Sequence, residues 1–138
     1  MALDLKKEFG TDRDAEEEGK RIDLGDGTWI VVRRFSSKAC RRVRERLERP
    51  YGKLAKIPEK VMEDILTRQI AEGVIVDWGG IEEGGEPLDY SVDTAVRVLG
   101  SYSDLREQIF SLSVSMETFK AEDDAKAAKK SKPRSAGT

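Results

Sequence analysis

No histidine occurs in this chain of 138 residues, and cysteine occurs once, as Cys40. The common zinc sites draw on several Cys and His side chains, so their ligand sets cannot be assembled here. Cys40 has no histidine to activate it as a nucleophile, and Ser36, Ser37, Ser111, Ser113 and Ser115 sit where helix caps or helix faces explain them. A lone cysteine also forms no intramolecular disulfide, which fits a reducing compartment. Aromatic residues make up only 7% of the chain. Nowhere does an apolar run approach the roughly 18 residues that a membrane helix requires. The opening MALDLKKEFG lacks the apolar stretch of a secretory signal. These absences lead us to expect no enzyme, no metal, no cofactor and no membrane.

Charge is abundant but balanced. Charged residues are 38% of the chain, and 25 Lys and Arg stand against 27 Asp and Glu. The bulk charge therefore selects no polyanionic partner, although local blocks still can. The length allows one modest core, provided the ends are loose.

Residues 1–19 are polar, with Asp12, Asp14, Glu16, Glu17 and Glu18 crowded together, and read as an acidic flexible arm. Residues 20–119 read as one domain. It starts with a β-hairpin, in which Ile22 and Leu24 on one side of Gly25-Asp26-Gly27 and Trp29 and Val31 on the other occupy β-prone runs. Ser36 or Ser37 then caps a helix with Cys40, Val43 and Leu47 at helical spacing. Pro58 opens a second helix, whose stripe of Val61, Met62, Ile65, Leu66 and Ile70 ends at Gly73. Ser91 caps a short third helix carrying Ala95, Val98 and Leu99. The last helix shows the most regular pattern, with Leu105, Ile109, Leu112, Met116 and Phe119 at heptad spacing. Residues 120–138 lose every large apolar side chain and read as a disordered tail. The expected fold is α+β and predominantly helical, a hairpin packed on a small bundle of about four helices.

Between the second and third helices, Val74-Ile75-Val76 leads into Asp77-Trp78-Gly79, a Gly-rich acidic turn, and Pro87-Leu88-Asp89-Tyr90-Ser91. This order, with the helix that follows, resembles the tail assembly chaperones of long-tailed bacteriophages, over about Phe35 to Phe119. The resemblance implies a small helical protein of the host cell cytoplasm that attends the tape-measure protein while tail-tube protein polymerises around it, without chemistry. Self-association is also allowed. Many such chaperones are made in two lengths by a programmed ribosomal frameshift, and the lysine-rich 125–132 stretch, AKAAKKSK, suits a slippery site. The alternatives of a different class are a structural virion component, such as a tail or connector subunit, and, less favoured, a small nucleic-acid-binding regulator.

Two groups of residues are candidates for partner binding. The first is the stripe Leu105, Ile109, Leu112, Met116 and Phe119, as a helix offered to an apolar partner. The second is the Arg-rich block around Arg41, Arg42 and Arg44, whose guanidinium groups suit an acidic helix. Nucleic-acid binding is disfavoured there, because only Phe35 and Tyr51 lie nearby for stacking. Asp77, Glu82, Glu83, Glu86 and Asp89 miss the alternating oxygen ligands of a calcium loop and read as a solvated turn. Trp29, Trp78 and Tyr90 read as core anchors.

Overall fold

A computed structural model describes residues 2–121, and the account below concerns those residues. The expected hairpin forms, with β1 (Lys20–Gly25) antiparallel to β2 (Thr28–Val32). Its turn places Gly25, Asp26 and Gly27 at φ of 92°, 53° and 78°. Glycine adopts that region freely, and Asp tolerates it better than most side chains. The run before the Gly-rich turn completes the sheet: β3 (Ile75–Gly79) pairs antiparallel with the other edge of β2, in the order β1-β2-β3. A two-stranded hairpin is marginal alone. Here Ile30, Val32, Ile75 and Trp78 give the sheet a buried inner face, against which Ile22 also packs.

Helix α3 (Lys38–Glu48) starts where Ser37 Oγ accepts the Cys40 amide at 3.3 Å. Cys40 and Val43 point into the core, while Arg41, Arg42 and Arg44 are exposed. Helix α4 (Glu59–Arg68) does not stop at Gly73 by the expected route. It widens into a π-type turn over Gln69–Val74, which buries Ile70, Ala71 and Val74. Gly73 serves close packing instead. A Cβ there would lie 2.8 Å from Cys40 Cα, so only glycine lets this turn meet α3.

The Asp-Trp-Gly…Leu-x-Tyr-Ser stretch is a tertiary clamp. Trp78 Nε1–H donates to the Leu88 carbonyl at 2.8 Å, and the Tyr90 ring meets Trp78 edge-on at 5.3 Å. The Tyr90 hydroxyl donates to the Ala71 carbonyl at 2.8 Å. Between them, β4 (Glu82–Glu83) and β5 (Glu86–Pro87) form a miniature hairpin over Gly84-Gly85. Helix α5 (Val92–Ser101) follows, capped by Ser91, and then α6 (Ser103–Val114). The sheet and these helices enclose one core.

The chain before β1 differs from a free arm. It holds α1 (Leu5–Phe9) and α2 (Arg13–Glu18), and α2 is docked on the domain. Glu16 is buried and its carboxylate accepts from Arg34 Nη1 at 2.6 Å, while Glu17 accepts the Lys38 amide at the start of α3 at 2.9 Å. Glu16 and Glu17 of the acidic cluster that reads as a flexible arm are thus spent on a cation and on a helix N-terminus. The expected disordered tail lies outside the described residues from 122 onward. Its first residue, Lys120, bridges to Thr11, and the Ala121 amide donates to the Gly10 carbonyl at 3.2 Å.

Candidate partner-binding groove

The heptad stripe does not lie on one helix. Helix α6 ends at Val114, and the backbone is extended at Ser115, so Met116 and Phe119 fall on a separate 3-10 turn, Met116–Phe119. The serines account for the break. Ser113 Oγ–H donates back to the Phe110 carbonyl at 2.7 Å, a bond that competes with the helical ladder. The Ser113 carbonyl in turn accepts the Phe35 amide at 2.8 Å, closing the helix from outside. The turn beyond Ser115 carries Phe119 into the core, where it is fully buried beneath Arg34.

Each residue of the stripe therefore has a different role. Ile109, 3% exposed, and Phe119, 0% exposed, are core residues, and a partner cannot touch them in this conformation. Leu105, Leu112 and Met116 are half-buried. Leu105 and Leu112 line an apolar seam of about 60 Å³ between α6 and the sheet, together with Leu24, Ile81 and Val98. Two larger, open hollows lie beside it. Towards the α5–α6 junction, Ile81, Leu88 and Tyr102 surround a hollow of about 580 Å³. Towards the end of α6, Leu24 and Leu112 floor a second hollow of about 680 Å³. The seam itself is closed in by buried Ile30, Trp78 and Ile109, and it shares Leu105 with the first hollow and Leu112 with the second, so that the two open hollows form a groove along α6 with the seam beneath it. Leu24, missed as a candidate, is 53% exposed at the hairpin tip. Its only sequence signal was a large apolar residue beside a turn.

Every charged residue lining the groove is acidic: Glu82, Glu83, Asp104, Glu107 and Glu117. Glu83 is occupied by Arg97 at 3.0 Å and by the Tyr102 hydroxyl, which donates at 2.7 Å. The Arg97 guanidinium, then the Tyr102 hydrogen bond, holds its carboxyl below the ordinary value, and the same contact raises the Tyr102 phenol. Glu107 lies 3.5 Å from Arg106. Glu82, Asp104 and Glu117 enter no ion pair among the described residues.

The Arg block divides in the same way. Arg34 is committed to Glu16, Arg46 to Glu72 at 2.8 Å, and Arg33 to the carbonyls of Glu17 and Gly73. Arg41, Arg42 and Arg44 make no ion pair among the described residues, but the side chains beside them on α3 that could anchor an apolar partner, Cys40 and Val43, face inward. These arginines do not line the groove. Cys40 is sealed in the core, and burial pushes its thiol up to about 11, so it is inert. Among the described residues, no three His, Cys, Asp or Glu side chains gather where a metal ion could sit. No helix there is long and apolar enough to cross a membrane.

A small α+β domain with a preformed apolar groove, rimmed by carboxylates, is the class of protein these features define. The chain belongs to the YdaY prophage protein family, whose model matches residues 35–130, and it is therefore phage-derived. The match begins after the hairpin and takes in α3 through α6. No curated protein and no solved structure matches the chain.

Proposed function

We propose that this prophage protein is a non-enzymatic tail assembly chaperone, which holds an apolar helical segment of a phage tape-measure protein in the groove along α6. It works in the host cell cytoplasm, needs no cofactor, and assists tail-tube protein to assemble on the segment it has kept soluble. The observation that carries the reading is the pair of open hollows along α6, which expose Leu105 in one and Leu24 and Leu112 in the other. Grooves of this kind take the apolar face of an amphipathic helix. Membership of a prophage family and the resemblance to tail assembly chaperones support it further. In a phage made by the frameshift route, a longer product would carry the same domain and recruit tube subunits at raised local concentration.

Co-expression with fragments of the neighbouring tape-measure protein tests the proposal. The wild-type protein should retain a fragment that Leu112→Asp and Leu24→Asp release, with circular dichroism confirming that both variants stay folded. The protein should also be missing from purified virions by mass spectrometry. Its stoichiometric presence there would favour a structural tail or connector subunit instead.

A further inference from the structure

We infer that the groove selects its occupant by sign of charge, and that the occupant is a cationic amphipathic helix, with Leu-type anchors flanked by Lys or Arg. The inference rests on the partner-binding reading above and specifies the chemistry of the partner. It reverses the expectation, drawn from the Arg block, that the partner is acidic.

Three observations lead to it. Both hollows present apolar side chains, Ile81, Leu88 and Leu105 in one and Leu24 and Leu112 in the other, so the occupant must present side chains such as Leu or Ile rather than a polar strand. The rim carries five carboxylates and no lysine or arginine, and three of the five are unpaired among the described residues. An acidic helix would place its charges against these, whereas a basic one would neutralise them. The groove follows α6, whose 12 residues extend about 18 Å. That length accommodates roughly three turns of a partner helix, enough for anchors at i, i+3 or i+4, and i+7.

Elements of a second copy fit less well. The exposed face of α3 is cationic through Arg41, Arg42 and Arg44, but Cys40 and Val43 are buried and Leu47 is half-buried, so the helix offers no exposed apolar stripe. Helix α1 exposes Leu5 and Phe9, yet its five residues make little more than one turn and carry Glu8 beside Lys6 and Lys7.

The experiment uses the full-length protein and two synthetic helices of about four turns. Both carry the same leucine stripe. One has Lys at the flanking positions and the other has Glu. Fluorescence anisotropy should show the Lys peptide binding about tenfold more tightly at low salt, as expected for a few exposed charge pairs. Salt should narrow the gap, Asp104→Lys with Glu117→Lys should abolish or invert it, and Leu112→Asp should weaken binding of the Lys peptide.

Equal binding of the two peptides, both sensitive to Leu112→Asp, would overturn the charge inference and leave the groove reading standing. Binding of neither peptide, or binding indifferent to Leu112→Asp, would overturn both. Concentration-dependent self-association that is abolished by Leu5→Asp and competes with the peptide would assign the groove to α1 of a second copy and also overturn the inference.

Discussion

Ile109 and Leu112 are neighbours on one helix, but truncating them should have separable effects. Ile109 is 3% exposed and packs in the core, so Ile109→Ala removes buried carbon and leaves a cavity. Substitutions of that kind cost about 2–5 kcal/mol. Leu112 is half-buried at the groove, where solvent already reaches part of the side chain. Its truncation to Ala forfeits a fraction of the transfer free energy, about 1 kcal/mol. At roughly 4 °C per kcal/mol for a domain of this size, Ile109→Ala should lower Tm by about 8–20 °C and Leu112→Ala by about 4 °C. Thermal denaturation followed by circular dichroism reads the first quantity. Retention of a partner helix, at a temperature where both variants are folded, reads the second. The order should reverse there, with Leu112→Ala binding weakly and Ile109→Ala binding as the parent does. Equal losses of Tm would refute the division of the stripe into core and groove residues. So would weak binding by Ile109→Ala at unchanged stability.

Three further outcomes follow from particular contacts. Gly79→Ala should destabilise the sheet by about 1–3 kcal/mol, because the new Cβ would lie 2.5 Å from the Trp29 ring, and urea denaturation followed by tryptophan fluorescence should show it. Two N–H···O contacts of 2.8 Å from Arg46 hold the Glu72 carboxyl below the usual range, so the stability this gives is present at neutral pH and is lost as pH falls through the ordinary carboxylate value towards the lower folded one; Glu72→Gln should flatten that part of the stability–pH curve, and an unchanged acid limb would count against the pair. Cys40 should resist a thiol reagent at pH 8 until the protein is unfolded, and rapid labelling of the native protein would contradict its burial.

The elements with local signals were readable from the sequence. Gly25-Asp26-Gly27, Ser37 and Ser91 are a turn and two caps whose chemistry acts over three or four residues, and each forms as expected. The pairing of β3 with β2 was not readable, because its hydrogen bonds join residues more than forty positions apart. The heptad failed for a similar reason. Spacing alone cannot register that the Ser113 carbonyl is taken by Phe35, nor that Phe119 is pulled beneath Arg34. Apolar periodicity finds residues that avoid water but does not separate a core from a groove. That distinction placed Ile109 and Phe119 in one group and Leu112 in another, and it left Leu24 unnoticed. The acidic N-terminal segment was misjudged because its partners, Arg34 and the Lys38 amide, lie on the far side of the hairpin in sequence.

The two walls of the groove are fixed by different parts of the core, and this bears on how a partner would bind. On one side, the Trp78–Leu88 hydrogen bond and the Trp78–Tyr90 contact hold the turn that carries Ile81 and Glu82. On the other, the end of α6 is tied down by the Phe35 amide, by buried Phe119 and by Arg34, which is itself engaged by Glu16. Arg33 and Arg34, which follow the hairpin, are thus consumed in building the scaffold, and three rim carboxylates, Glu82, Asp104 and Glu117, stay without an ion pair among the described residues. Because both walls rest on packed elements, the groove need not be assembled when a partner arrives. The ordering entropy of binding then falls chiefly on the incoming segment, which must adopt its helix as it docks. Such a segment would bind with modest affinity for the surface it covers and release readily. Reversibility of that kind is what a protein requires if it is to hold a partner only until other subunits replace it.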